Sequence, residues 1–587
     1  LVRRAATLPT GLVRRAAYIM TLLALLYTSL SFVDTSRWIG AEYTPSSAPG
    51  NSLWWYNYTD YEAEVKRELH FAKTRLATTA IRVFLHTLVF EDDAARLLRN
   101  IDRFLGIADA NNITVGLVFF GDCFNHVGQL NNTCQPKKGT HNGCWTASPT
   151  DAERTSIDRF KPYVTDVVKR FGQDHRVAWF EIFNEPSRKN PWSTTLRSAG
   201  YQWAKGVKPA PLQPIFSLWD DNNATDVVDH HDYGTDFAGE WTTAIYSDPK
   251  KGAFVTEAGS RWYQPPYSSD QGSPLTVFNY LTALRREKAA GTRPFVPGAM
   301  VCWELMVGNS NTRWHWNSAV GSAEPAIPWD AWLFPDGTPI SHTEAAAMRR
   351  YVSGGADDEF LAFEDFLPKP AVVASGDVTH TLKAGDVWSA PLSNDDGVSL
   401  SPAGDVLAEA TFWPTRSDSV FALYARAGSS SSSSTGVAAP RLGGYAAVVN
   451  GSILTVERQE LQQQQQQRGD GDGDDDGSQV VVKVQVLGRF DLSALENGVV
   501  IGAWNMLRLV VKSNGGSIAV WFNPMYKETG MKGDAEDYKR VPTPLPPRIA
   551  VVDPKPLAVG HAAFLAITAG VSDVRVDYTS ALPANVF

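Results

Sequence analysis

Short apolar runs alternate with amphipathic stretches from Trp38 to about Tyr351. The amphipathic stretches, such as DYEAEVKRELHFAKTRL and SIDRFKPYVTDVVKRF, place apolar residues three and four apart and predict helices. The apolar runs have the length and the β-branched content of buried strands. There are eight of them: Trp38–Glu42, Ala80–His86, Thr114–Phe120, Val177–Asn184, Pro214–Leu218, Asp226–His231, Ala253–Glu257 and Ala299–Glu304. Eight strands alternating with helices predict an α/β fold, a (β/α)₈ TIM barrel. Strands four to seven are closely spaced, so we expect short helices between them.

After Pro368 the pattern changes to strand-like alternation, in runs such as VLAEATFWP, NMLRLVVKS and SIAVWFNP. Gly, Asp, Asn or Pro separates these runs, which predicts an all-β, jelly-roll-like sandwich. Two low-complexity inserts cannot bury apolar surface, so we predict disorder near 428–437 and 460–478. The acidic GDGDGDDDG run lacks the Glu and the spacing of a calcium loop and is interpreted as solvated. The predicted units are therefore 1–34, the barrel at 35–365 and the sandwich at 366–587.

The first unit has the features of a targeting segment. Arg14 and Arg15 precede an uncharged, largely apolar run from Ala16 to Val33. This pattern is typical of a signal peptide or of a single membrane anchor, and the length of the run is compatible with both. We expect the protein to be secreted, or anchored in a membrane and facing the extracellular side. Glycosylation sequons fit this route, at Asn57, Asn112, Asn131, Asn223 and Asn450.

Composition narrows the classes of partner. The net charge of −9 argues against nucleic acid, which requires a basic surface. The chain has 19 Trp, whose flat indole faces suit sugar rings but also suit protein cores. Of the four Cys, three lie close together in a polar segment. An oxidising compartment would favour a Cys134–Cys144 disulfide, and the alternative is free buried thiols.

Two glutamates close strong apolar runs, Glu185 in VAWFEIFNEP and Glu257 in AFVTEAG. They end the fourth and seventh predicted strands, and the carboxyl ends of barrel strands meet on one face. Cleavage of a glycosidic bond with retention needs a protonated acid and an ionised nucleophile about 5 Å apart. We expect the charge of Glu257 to raise the pKa of Glu185, which would keep Glu185 protonated.

The stretch Phe180–Pro186, FEIFNEP, resembles the Asn-Glu-Pro signature of the cellulase-like family-five glycoside hydrolases, within the clan of retaining (β/α)₈ glycosidases. Val255–Gly259 is similar to the family's Thr-Glu-x-Gly motif, and the resemblance extends over Trp38 to Tyr351. It implies that Glu185 is the acid/base and Glu257 the nucleophile. It also implies an endo-β-glycanase that cleaves β-glucan, mannan or a similar carbohydrate by double displacement, without a metal or organic cofactor. We expect a monomer.

The resemblance assigns further positions. Arg82 matches the arginine that hydrogen-bonds the nucleophile, and Asn184 the asparagine that contacts the sugar 2-hydroxyl. His231 and Tyr233 match the His-x-Tyr of strand six, and Trp303 matches the tryptophan beneath the cleaved sugar.

The chain departs from the family after strand three. Many members carry a histidine there, whereas this chain reads FFGDCFNH. We expect Asp122 or His126 to occupy that part of the pocket. Glu181 and Glu304 are interpreted as structural residues.

Two other functions remain compatible with the sequence. A transglycosylase would use the same covalent intermediate, and a wall or surface protein could bind glycan with a non-catalytic barrel. The C-terminal part resembles concanavalin-like jelly-roll modules, which implies either glycan binding or a structural cap on the barrel.

Overall fold

The computed structural model describes residues 37–353 with interruptions, and then strand segments with their adjoining turns between 387 and 579. The interruptions within 37–353 are 129, 131–133, 188–189, 219–223, 234–247, 249–250, 260, 262–273, 294–295, 323–324 and 326. The predicted signal peptide or anchor at 1–34 lies outside the described residues, as do Asn131, Asn223 and most of both predicted inserts. None of the described helices is long and apolar enough to cross a membrane.

The first part is a TIM barrel, as the sequence predicted. Its parallel strands are β1 (Trp38–Glu42), β2 (Ala80–Phe84), β3 (Thr114–Gly121), β4 (Val177–Asn184), β5 (Ile215–Phe216), β6 (Val228–Asp232), β7 (Ala253–Ala258) and β8 (Ala299–Cys302). They pair in the order β5-β4-β3-β2-β1-β8-β7-β6. Asp226 closes the ring between β5 and β6. Its backbone N–H donates to the carbonyl of Ile215 at 2.9 Å, and its carboxylate accepts from the Ile215 N–H at 2.9 Å.

The helices follow the strands at the expected places. They are α1 (Asn51–Tyr56), α2 (Tyr58–Leu76), α3 (Thr87–Asp92), α4 (Ala94–Ala110), α5 (Lys161–Phe171), α6 (Pro191–Gly206), α7 (Pro274–Ala289) and α8 (His342–Ser353). The expectation of short helices between strands four and seven is wrong for α6, which has 16 residues. The close spacing of these strands along the sequence is instead accommodated between β5 and β6, where the described residues contain no helix.

Strand β2 ends two residues earlier than predicted because His86 belongs to the next element. Its Nδ1 accepts from the N–H of Leu88 and caps α3. A cluster that includes Trp38, Trp179 and Phe254 fills part of the core, and the Trp38 ring meets each of the other two edge to face. Gly116 on β3 leaves room for the Trp179 indole, since a Cβ there would lie 1.9 Å from it. Large side chains therefore make this part of the barrel solid.

The C-terminal part is all-β and antiparallel. Its strands are β9 (Val387–Pro391), β10 (Val406–Pro414), β11 (Val420–Ser429), β12 (Leu442–Asn450), β13 (Ile453–Gln464), β14 (Gln479–Asp491), β15 (Asn505–Val511), β16 (Ser517–Phe522), β17 (Tyr526–Lys527), β18 (Thr543–Pro544), β19 (Ile549–Val552), β20 (Ala563–Ile567) and β21 (Val571–Thr579). One sheet has the order β19-β16-β15-β10-β21 and another β11-β12-β13-β14, with two further strand pairs, β17-β18 and β20-β9. The layered antiparallel sheets are those of the predicted sandwich.

The first residues of both predicted inserts lie in strands. Strand β11 continues to Ser429, and β13 continues through the glutamines to Gln464. Gln462 and Gln463 pair with Val481 and Val480 of β14. A ladder made by backbone groups needs no apolar side chain, so composition alone did not mark the end of the strand.

The sandwich and the barrel share a buried contact. The Arg508 guanidinium on β15 pairs with the Glu409 carboxylate on β10, and both side chains are buried. The same arginine donates to the Ile340 carbonyl at 2.6 Å, and the Ser341 hydroxyl donates to Glu409. Met506 packs beside this pair in a cluster that also contains barrel residues such as Phe334.

We expect this pair to hold the two domains together. An Arg508→Met variant leaves Glu409 as a buried charge without its cation and should destabilise the protein by about 3–5 kcal/mol. Urea unfolding followed by circular dichroism measures the loss. The double variant Arg508→Met/Glu409→Met removes both charges and should recover most of it. Equal stability of the single variant and the wild type would show that the contact contributes nothing.

Candidate active site

The site lies at the carboxyl ends of the barrel strands. Glu185 directly follows β4, and Glu257 lies near the end of β7. Glu185 has a φ of 43°, a left-handed conformation that is uncommon for residues other than glycine. Strain of this kind is often retained where a side chain must be aimed at a site. The turn at Glu185, which is followed by Pro186, directs the chain out of the strand.

A buried arginine on β2 organises the site. The Nε and Nη2 of Arg82 donate to the two oxygens of Glu181 at 2.7 and 2.6 Å. Its Nη2 also donates to the Asn184 side-chain oxygen at 2.6 Å, and its Nη1 to Glu257 at 2.8 Å. Burial disfavours the charged form, but Glu181 and then Glu257 outweigh that effect and raise the pKa of Arg82 well above its usual value. Arg82 is therefore a fixed cation.

Three polar groups lie around the Glu257 carboxyl, and two of them donate to it. Besides Arg82, the Tyr233 hydroxyl donates to its Oε2 at 2.6 Å, and the His231 Nδ1 lies 3.3 Å from the same oxygen. Burial raises the pKa of Glu257, whereas His231, Arg82 and the Tyr233 hydrogen bond lower it. These contacts favour the ionised form and oppose the cost of desolvation.

Glu185 approaches Glu257 closely. Its Oε1 lies 2.9 Å from the His231 Nδ1, and one oxygen from each carboxyl lies within 4.8 Å of that nitrogen and of the other oxygen. Burial is the main cause that raises the pKa of Glu185, and Arg82 and Cys123 act in the opposite direction. The sequence had instead predicted that the charge of Glu257 would be the cause.

His231 connects Glu185 to a second hydrogen-bond chain. Burial lowers the pKa of His231 to about 4, so the ring is neutral near pH 7. Its Nε2 lies 3.1 Å from the Thr256 hydroxyl, which donates to Asp229 at 2.8 and 2.9 Å. Because Thr256 donates to Asp229, its oxygen accepts from His231 Nε2–H, and the Nδ1 of His231 is left as an acceptor. A protonated Glu185 satisfies that acceptor.

Aromatic side chains line one side of the cleft. Trp303, which follows β8, is buried, and its ring packs against Phe84 and Trp145 with centroids 6.1 and 5.5 Å apart. Its backbone N–H donates to the Ala258 carbonyl at 3.1 Å, which holds it beside the end of β7.

The wall after β3 differs from the expectation. Asp122 pairs with Arg154 and accepts from the Ser193 hydroxyl and, at 3.2 Å, from the Ser187 N–H. It thus holds the segment after Glu185 rather than filling the pocket. His126 is also directed away, with its Nδ1 3.3 Å from Asp151.

Cys123 takes the place expected for Asp122 or His126. Its sulfur accepts from the Asn184 amide at 3.3 Å, and its thiol hydrogen-bonds Glu185. The residue is open to the solvent of the cleft, but surrounding protein atoms desolvate the thiol and raise its pKa. Cys134 and Cys144 form the disulfide that the sequence favoured.

Sequence reasoning gave Glu181 and Glu304 too small a role. Glu181 is the main partner of Arg82. Glu304 forms a buried carboxyl pair with Glu42, and burial raises its pKa to about 8. Asp229 and Thr256 were not singled out at all. Strand alternation could have indicated Asp229, because Asp229 and His231 lie two residues apart on one strand and residues at that spacing share a face.

Within the described part of the chain, two groups of side chains have donor atoms close enough to hold a metal ion: Glu181, Asp229 and His231, and Glu185, His231 and Glu257. Each group contains a carboxylate that already pairs with Arg82. The positive charge among these acids is thus supplied by a guanidinium.

Residues 39–213 match the model of the cellulase family, glycosyl hydrolase family 5, a stretch that includes Arg82 and Glu185 but ends before Glu257. No curated protein matches the chain.

Solved structures similar to this chain include GH5_18 from Streptomyces cattleya in complex with GlcNAc, at 14% identity and a TM-score of 0.37, covering 54% of this chain and 81% of that one. An exo-beta-1,4-mannosidase from Opitutaceae bacterium strain TAV5 has 14% identity and a TM-score of 0.35, with 55% and 63% covered. An endo-1,4-beta-D-mannanase from Thermotoga petrophila RKU-1 has 12% identity and a TM-score of 0.32, with 54% and 99% covered.

Proposed function

Because residues 39–213 match the cellulase family, glycosyl hydrolase family 5, we propose that the barrel is a retaining β-glycosidase acting by double displacement. The spacing of the two carboxyls is the observation that carries the proposal. An oxygen of Glu185 and an oxygen of Glu257 lie within 4.8 Å of each other. Retaining enzymes hold their carboxyls about 5–5.5 Å apart, whereas inverting enzymes need roughly 6.5–9.5 Å to admit a water molecule.

In the first step Glu257 attacks the anomeric carbon while Glu185 protonates the leaving oxygen. The Arg82 and Tyr233 donors at Glu257 hold one conformation of the carboxylate and favour its ionised form. Burial raises the pKa of Glu185 and favours its protonated form, which donates to the neutral His231 until the substrate oxygen replaces that acceptor.

In the second step Glu185 removes a proton from water, and the water attacks the glycosyl-enzyme. Release of the aglycone leaves Glu185 ionised beside the neutral His231. The Asn184 amide is fixed from both ends, by Arg82 at its oxygen and by Cys123 at its nitrogen. We assign to it the contact with the sugar 2-hydroxyl, and to Trp303 the apolar floor under the same sugar.

The proposed substrate is a β-linked polysaccharide or oligosaccharide such as a β-glucan or mannan, cleaved internally. A panel of such glycans with analysis of the products identifies the sugar, separates internal from terminal cleavage, and separates hydrolysis from transfer to a sugar acceptor. We further propose a monomer that is secreted or anchored facing the outside of the cell. The Cys134–Cys144 disulfide supports this location, because disulfides persist in oxidising compartments.

Azide distinguishes the two carboxyl roles. Glu257→Ala should lose roughly three to five orders of magnitude in rate, about 4–7 kcal/mol, and azide should restore turnover with an α-glycosyl azide as product. Glu185→Ala should still be glycosylated by a dinitrophenyl glycoside, and azide should then give the β-glycosyl azide. Product anomers are determined by NMR spectroscopy.

The matched control is Glu91→Ala, which removes an exposed carboxylate on α3 that pairs with Arg159. It should retain full activity. Identical azide products from both active-site variants, or an active Glu257→Ala enzyme without azide, would refute the assignment.

The pH profile tests the Tyr233 contact. The Tyr233 hydroxyl stabilises ionised Glu257 and lowers its pKa. Tyr233→Phe should therefore raise that pKa and move the acidic limb of kcat/KM to higher pH by about one unit. The alkaline limb, which reports the loss of the Glu185 proton, should stay in place. A uniform loss of activity at all pH values, with neither limb moved, would contradict this coupling.

A further inference from the structure

Trp316 is an exposed aromatic residue beside the catalytic machinery. The residue is 46% exposed, and it is the one aromatic among the large, well-exposed apolar residues of the described chain. The others are aliphatic: Val127, Leu212, Val320, Val484 and Val486. A single exposed apolar side chain is ordinary on a protein surface, so exposure alone assigns no role.

Other rings fix the orientation of the Trp316 indole. Trp329 meets it edge to face, with centroids 4.5 Å apart and planes at 88°. Tyr233 is a second T-shaped neighbour at 5.4 Å and 77°, and the His315 ring lies 4.5 Å away. These contacts restrict the rotamers of Trp316 before any ligand arrives, which lowers the entropy lost on binding.

This aromatic group is joined directly to the nucleophile. The Tyr233 ring touches Trp316, and its hydroxyl donates to Glu257 at 2.6 Å. Trp329 stacks on the same Tyr233 ring at 6.0 Å and 24°. Backbone hydrogen bonds with Arg313 and Arg261 hold Trp329, at 2.9 and 2.7 Å. The exposed indole is thus separated from the reacting centre by a single tyrosine ring.

We propose that the outward face of Trp316 is a binding platform for a second pyranose ring of the substrate, next to the sugar that is cleaved. This inference rests on the proposed glycosidase function. It specifies which sugar unit of the substrate binds at the mouth of the cleft. The axial C–H groups of a β-linked hexopyranose form an apolar face that can cover the indole. The platform thereby favours chains of two or more sugars over single glycosides.

The test compares two substrates of the sugar that the wild type cleaves. One is its oligosaccharide of four to six units, and the other is its β-glycosyl fluoride, which carries no second ring. For Trp316→Ala we expect kcat/KM on the oligosaccharide to fall about tenfold or more, with the value on the fluoride unchanged within about twofold. The kcat/KM of Trp316→Phe on the oligosaccharide should lie between the values of the wild type and of Trp316→Ala. Val320→Ala, which changes an exposed apolar residue of the same segment, should match the wild type.

Each outcome decides between the possibilities. Equal losses on both substrates would mean that Trp316 acts on the catalytic residues and is not a platform, and no loss on either would remove it from substrate binding. If the wild type cleaves no glycan, the proposed function fails first. Binding of the same oligosaccharides, measured by calorimetry with wild type and Trp316→Ala, then tests the platform alone, and equal affinities would overturn it.

Discussion

The Arg82 guanidinium lies inside the barrel and must be neutralised there, because an unpaired buried charge is too costly for a folded protein. Glu181 neutralises it through a bidentate pair, and the remaining donors are directed at Glu257 and Asn184. One side chain thereby fixes groups at the ends of β4 and β7 relative to β2. The spacing of the Glu185 and Glu257 carboxyls follows from this arrangement. The same charge favours the ionised form of Glu257, whereas burial raises the pKa of both Glu257 and Glu185.

The barrel and the principal residues could be predicted because each depends on local information. Strand ends are visible as apolar runs that stop at a polar residue, and the topology gathers those ends on one face. Glu185 and Glu257 were found in this way, and Arg82 was assigned from the family resemblance. The departure after β3 could not be resolved, because Asp122, Cys123 and His126 share one turn and only coordinates show which faces the cleft. Likewise, Arg154 and Ser193 are far from Asp122 in the sequence. Their ion pair and hydrogen bond with Asp122 therefore could not be predicted from the sequence.

The sandwich also has a structural connection to the catalytic face. Glu409 and Arg508 contact Ser341 and Ile340, at the start of the segment that leads into α8. Arg261 pairs with Glu344 on that helix and donates to the Ala331 carbonyl, beside Trp329. The composition of the C-terminal part identified its fold class, but an interface formed by isolated polar residues has no periodicity that a sequence would reveal. This contact supports a structural role for the sandwich, whether or not it also binds glycan.

Double displacement through Glu257 is the central claim, and trapping the covalent intermediate tests it most directly. A 2-deoxy-2-fluoro glycoside with a good leaving group slows hydrolysis of the glycosyl-enzyme, so the intact protein should gain the mass of one fluorosugar. Peptide mass spectrometry should then locate the label on Glu257, in the sequence AFVTEAG. A label on any other carboxylate, or steady turnover of a cleaved substrate with inversion at the anomeric carbon, would contradict the account.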